Sequence, residues 1–125
     1  MYVLRRFLRS GIVPVLTLLS LGATAVGKAA ELLVVEDPAC GPCILFDRQV
    51  GPVYPKTDEA RRAPLRRIPY GEPAPEPYAF IGQPEVAPTF VLVDQGRELG
   101  RFQGFVSDEL FWMNLARLMH QLDRR

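Results

Sequence analysis

The chain of 125 residues contains two cysteines, Cys40 and Cys43, in the run Cys40-Gly41-Pro42-Cys43. At this spacing a disulfide closes a ring too small to remove much entropy from the unfolded chain, so stapling is a poor use for the pair. Reversible dithiol chemistry is a better one. A thiol at the start of a helix feels unpaired backbone N–H groups and the positive dipole end, both of which favour thiolate. With Pro42 at the first helical position, Cys40 stands at that point. Lowering a thiol pKa from about 8.5 to about 7 raises the thiolate fraction at pH 7 from roughly 3% to roughly half. Cys40 is therefore the expected nucleophile, and Cys43, one turn further in and more enclosed, resolves the mixed disulfide. The spacing alone also suits half a zinc site or a copper carrier.

Positioning such a pair needs a strand that ends at Cys40 and a helix that starts there. Leu32-Leu33-Val34-Val35, within Glu31 to Glu36, is a continuous apolar run of the right length for a buried central strand. Asp37-Pro38-Ala39 ends it, and Cys43 to Val50 continues as a helix until Gly51-Pro52. Thr57 caps one or two helical turns over Asp58 to Arg62, and a short strand follows at Leu65 to Pro69. Gly71 to Glu85 holds Pro73, Pro75, Pro77 and Pro84 and reads as a loop, with Tyr78, Phe80 and Ile81 plugging a core edge. Thr89 to Val93 and Glu98 to Phe102 form a hairpin around Asp94-Gln95-Gly96-Arg97. Ser107 caps a last helix whose Phe111, Leu115, Leu118 and Leu122 recur on one face, with Trp112 assigned to packing and both Met113 and Met119 placed on or near the packed face as core.

The first thirty residues bear on compartment. Arg5, Arg6 and Arg9 precede an uncharged run from Gly11 to Val26 and then small residues, the layout of an export signal. Residues 1–29 are the expected signal peptide and 30–125 the domain. Cleavage after Ala29 and after Ala25 are both compatible with the small residues, and an uncleaved anchor is the alternative, although the run is short and Pro14 interrupts it. The leader holds four of the fifteen Lys and Arg and no acid, so the remainder carries eleven basic and fourteen acidic residues, a net of −3. That balance implies no polyanion partner and no nucleic acid. One core of modest size follows from the remaining length.

The order strand, helix, strand, loop, hairpin, helix, with Cys-Gly-Pro-Cys on the first turn, resembles the thioredoxin fold over residues 31 to 122. This is an α/β architecture with a central mixed sheet of about four strands flanked by helices. Val86-Ala87-Pro88-Thr89-Phe90-Val91-Leu92-Val93, followed by Gly96 and Gly104, resembles the thioredoxin segment in which a cis-proline opens a strand. The resemblance implies that Pro88 faces the dithiol and that Ala87 offers backbone groups to an extended substrate, with Gly41 and Pro42 completing the substrate-binding surface. It also exposes two departures. Ala39 stands where thioredoxins carry tryptophan, and Val34 stands where they carry a buried aspartate. Glu36 and Asp37 are the nearest acids that could handle a proton, although strand-end acids are commonly solvated; close to Cys40, either would raise the thiol pKa.

Val50 to Arg67 further resembles an insertion in periplasmic thioredoxin-like proteins of bacterial sulfur-oxidation (Sox) systems, the SoxS type. That resemblance implies a periplasmic disulfide reductase acting on a protein disulfide and keeping the cysteine of a SoxYZ-like sulfur-carrier protein usable. It would be recharged by a membrane thiol–disulfide transporter, work as a monomer, and need no organic cofactor or metal. Arg61, Arg62, Arg66 and Arg67 could meet an acidic partner, although such runs are commonly solvated faces. Two other readings stay open: a disulfide oxidase or isomerase, and a Cu(I) carrier built on the thiolates, for which His120 is the one histidine in the chain.

Overall fold

The computed structural model describes residues 29–125; all of the expected leader but Ala29 lies outside the described residues. Four strands form one mixed sheet in the order β2-β1-β3-β4. They are β1 (Glu31–Glu36), β2 (Leu65–Pro69), β3 (Thr89–Asp94) and β4 (Arg97–Gln103). β1 runs parallel to β2 and antiparallel to β3, which pairs antiparallel with β4. Three α-helices complete the domain: α1 (Gly41–Gln49), α2 (Asp58–Arg62) and α3 (Asp108–Asp123). Among the described residues, no helix is long and apolar enough to cross a membrane.

The central strands are apolar on both sides because both sides are covered. Leu32 and Val34 of β1 face Phe46 and Val50 of the α1 segment and Phe111 and Leu115 of α3. Phe46, Phe90 and Phe111 meet there, with ring centroids 5.0 to 5.5 Å apart. Leu33 and Val35 alternate to the opposite face, joining Ile68, Val91 and Val93. No α-helix covers that second face among the described residues; Ala74 and Ile81, the latter in a single 3₁₀ turn at Ala79–Ile81, do so with Tyr78 packed beside them. The proline-rich stretch is thus a cover for the sheet. It is pinned by hydrogen bonds from Ala74 N–H to Gly82 O (3.1 Å) and from Arg101 to Ile81 O (2.9 Å). Ile81 is buried, while Phe80, expected beside it in the core, is exposed.

Local chemistry explains the element ends. Thr57 Oγ1 accepts from Ala60 N–H (3.2 Å) at the start of α2, and Ser107 Oγ accepts from Leu110 N–H (3.3 Å) at the start of α3. The β3–β4 turn places Gln95 and Gly96 at φ of 50° and 73°, as a two-residue hairpin with right-handed strand twist requires. Gly100 permits close approach of α3: a Cβ there would stand 2.7 Å from Leu118 Cδ2.

A further placement differs from expectation. Met113 is exposed, because two residues beyond Phe111 is about 200° round a helix, on the solvent side. Met119, four beyond Leu115, is buried. The arginine run is exposed, and every member is ion-paired: Arg61 with Asp58, Arg62 with Asp123, Arg66 with Glu31, and Arg67 with Glu36 and Asp47. Exposed pairs of this kind each contribute little stability, but they neutralise the run.

Candidate active site

Because β1 and β2 are parallel, their C-terminal ends lie at one end of the sheet, and the chain leaving β1 turns there into α1. The turn is built by Asp37. Its backbone carbonyl accepts from Cys40 N–H (3.1 Å), and its Oδ1 accepts from Ala39 N–H (2.8 Å). Helix α1 starts at Gly41, one residue before the expected Pro42, so Cys40 is the N-cap and Pro42 falls within the first turn, where its missing N–H costs nothing.

Cys40 and Cys43 are joined as a disulfide. Cys43 N–H donates to Cys40 Sγ at 3.1 Å, and the Cys40 carbonyl accepts from Ile44 N–H at 3.0 Å. The N-cap sulfur thus occupies the position in which a helix start stabilises negative charge. Cys43 is 2% exposed, whereas Cys40 is half-buried and opens to the surface beside exposed Gly41 and Pro42. The asymmetry matches an attacking and a resolving sulfur.

The second wall comes from the segment before β3. The Ala87 carbonyl oxygen stands 3.7 Å from Cys40 Sγ, and the Ala87–Pro88 peptide is cis. Pro88 is buried, and its carbonyl accepts from Gly104 N–H (2.7 Å), tying the start of β3 to the end of β4. Thr89 Oγ1 donates to Val86 O (2.6 Å) and locks the approach to the strand. Val86, just before Ala87, and Val106, two residues beyond Gly104, expose apolar side chains.

The acids near the dithiol separate into two situations. Val34 is wholly buried among apolar groups, so no carboxylate lies under the dithiol at that position. Glu36 is half-buried rather than solvated; Arg67 donates to its Oε1, while Oε2 is buried without a partner. The hydrogen bond to Glu36 raises the Arg67 pKa further above its ordinary value. Asp37 is engaged in the turn. Sequence reasoning did not single out Tyr70. It follows β2 at the dithiol end, donates its N–H to Glu36 O (2.9 Å) and its hydroxyl to Glu85 O (2.9 Å). The signal available was the strand–helix–strand order, which places residues after β2 beside residues after β1.

Among the described residues, no group of three or more His, Cys, Asp or Glu is arranged to hold a metal ion. His120 lies exposed near the end of α3.

No protein-family model matches the chain, and no curated protein does. Solved structures do. The periplasmic thioredoxin SoxS from Paracoccus pantotrophus, in its reduced form, is 38% identical with a TM-score of 0.68, over 74% of this chain and 98% of that one. Fasciola hepatica thioredoxin, at 21% identity and a TM-score of 0.54 over 71% of this chain and 80% of that one, shares the fold. With this identity spanning the SoxS chain, and with a Cys-Gly-Pro-Cys disulfide at the N-cap of α1, the chain belongs to the thioredoxin-like family of SoxS-type proteins and is a thiol–disulfide oxidoreductase.

Proposed function

We propose that the protein is an exported, periplasmic disulfide reductase whose partner is a protein disulfide, in particular the oxidised cysteine of a sulfur-carrier protein. The observation that carries the reading is the exposure difference across the disulfide, with Cys40 at a helix N-cap and Cys43 enclosed. The Cys40 thiolate attacks a substrate sulfur, forming a Cys40–substrate disulfide and expelling one substrate thiolate, which takes a proton from solvent. Cys43 then loses its proton and attacks Cys40 Sγ. The Cys40–substrate bond breaks, the second substrate thiol leaves, and the dithiol is oxidised. Ala87 presents its carbonyl and Pro88 orients it, so that an extended substrate lies across Gly41, Pro42 and the exposed Val86 and Val106. Residues 1–29 serve export and 30–125 act, as a monomer, with electrons supplied by a membrane thiol–disulfide transporter. The likeness to a periplasmic SoxS supports the compartment and the partner class.

The test is the reduction potential of the Cys40/Cys43 couple in protein recovered after export. A value near thioredoxin's roughly −270 mV is expected, and one near the roughly −120 mV of a strong oxidant would overturn the reductase reading.

A further inference from the structure

Two cavities, of about 340 and 350 Å³, flank Tyr70 beside the dithiol. Glu36, Asp37, Pro38, Arg67, Ile68 and Pro69 line the first, and Gly71, Gln83, Pro84 and Glu85 the second; Tyr70 lines both. Meeting at Tyr70, they form a groove whose first half is mainly apolar and whose second half is more polar. One wall is the Asp37 turn, whose carbonyl holds Cys40 N–H. The other is Glu85, from which Val86 and Ala87 lead to the contact with Cys40 Sγ at 3.7 Å. Cys40 itself lines neither cavity, but each wall connects to it, one through the Asp37 turn and the other through Ala87.

The charge of this groove reverses the sign expected from the arginine run. Arg67 is the one cation lining it, and Glu36 and Asp47 already hold that guanidinium. Asp37 and Glu85 have no cationic partner among the described residues. Tyr70 is 37% exposed, and its hydroxyl is engaged by Glu85 O, which leaves the ring to stack against a cation. Resting on the reductase reading above, we propose that the groove docks an extended segment of the partner polypeptide bearing Lys or Arg beside its cysteine. The apolar part of the lining takes the chain and the aliphatic stems, and the carboxylates of Glu85 and Asp37, the latter also holding Ala39 N–H through one oxygen, take the charged heads.

The probes are three decapeptides that differ only at the two residues flanking a central cysteine, which are Lys, Glu or Ser. Each is activated as its thionitrobenzoate mixed disulfide. Attack by reduced Cys40 on the peptide sulfur forms the Cys40–peptide disulfide and releases coloured thionitrobenzoate, so each single turnover is read directly. The Lys peptide should react about five- to tenfold faster than the Glu peptide at low salt, with the gap closing at high salt. In D37N/E85Q the Lys/Glu ratio should fall to within about twofold of one, while D58N/E59Q, which removes two acids on α2, should keep the wild-type ratio. Equal rates for the peptides in the wild type, or a ratio unchanged in D37N/E85Q, would overturn the docking proposal. Uncharged hydroxyethyl disulfide separates the two levels: the wild type and D58N/E59Q should reduce it equally, and because Asp37 also builds the turn that holds Cys40, D37N/E85Q is judged by its Lys/Glu ratio, in which a change of intrinsic rate cancels. Failure of the wild type to reduce it would remove the reductase reading on which the docking rests.

Discussion

The carbonyl oxygen of Ala87 lies 3.7 Å from the Sγ of Cys40, although 47 residues separate them in the chain. The β1–β3 pairing makes this approach, with Val35 opposite Thr89, so the turn leaving β1 and the segment entering β3 converge at one end of the sheet. On the proposed reading, a substrate chain pairing with Ala87 would have its sulfur delivered to Cys40, while Cys43 is 2% exposed. The division of labour proposed for the two sulfurs rests on this difference in access.

That division is tested by trapping. Cys43→Ser should accumulate a covalent Cys40–partner disulfide, because the first attack proceeds and the resolving thiol is gone. Cys40→Ser should trap nothing, since the remaining thiol is 2% exposed. Non-reducing gels of each variant after incubation with oxidised periplasmic extract read the result; equal trapping by both variants would refute the assigned roles.

Tyr54 links the core to alkaline stability. Its hydroxyl is buried and donates to Ala63 O at 2.6 Å; burial first, and the charge of Glu59 second, push its pKa far above the ordinary value. The folded state thus holds this proton more tightly than the unfolded chain, whose tyrosine titrates near pH 10. The stabilisation is full below about pH 10 and is lost as pH rises above it. Tyr54→Phe should cost about 1 kcal/mol at pH 7 by leaving the Ala63 carbonyl without its donor. It should also flatten the decline in urea midpoint between about pH 10 and 11.5.

Gly100 tests the docking of α3. A methyl group there meets Leu118 Cδ2 at 2.7 Å, so the leucine must shift. Relief of glycine's unfolded-state entropy favours Ala by roughly 0.5–1 kcal/mol, and overpacking opposes it by about 1–3 kcal/mol. Net destabilisation of about 1 kcal/mol is expected for Gly100→Ala. Adding Leu118→Ala should give less than the sum of the single losses. Additive losses in chemical denaturation would show that the two do not meet.

Parts of this architecture are legible residue by residue. The unbroken apolar runs of β1 and β3 announce strands buried on both faces, and the Thr57 and Ser107 caps mark helix starts because a hydroxyl three residues before an N–H is a local event. The 71–85 cover is not legible in that way. Prolines remove the periodicity that would reveal a face, and its role depends on the absence of an α-helix on that side of the sheet among the described residues. The arginine pairs escape for the same reason, since Glu31, Asp47 and Asp123 lie 20 to 61 residues from their partners. Met113 is a different case. Counting from Phe111 round the helix would have placed it in solvent.

Val34 marks how far this site departs from an acid-assisted dithiol. It is wholly buried in the cluster that contains Phe46, Phe90 and Phe111, and its register neighbours are Phe90 on β3 and Arg67 on β2. A carboxyl introduced by Val34→Asp would have to remain protonated or draw Arg67 away from Glu36 and Asp47. Burial raises such a group's folded pKa above the roughly 3.9 of the unfolded chain, so the destabilisation is least below that pH and grows as pH rises through the folded value. A loss of about 3 kcal/mol or more at pH 7, and a smaller one at pH 4, is expected from denaturant midpoints. If Arg67 instead relocates to satisfy the new charge, the loss will be independent of pH across this range. The charge of Glu36 will then be released toward the groove, and the Lys/Glu peptide ratio will rise.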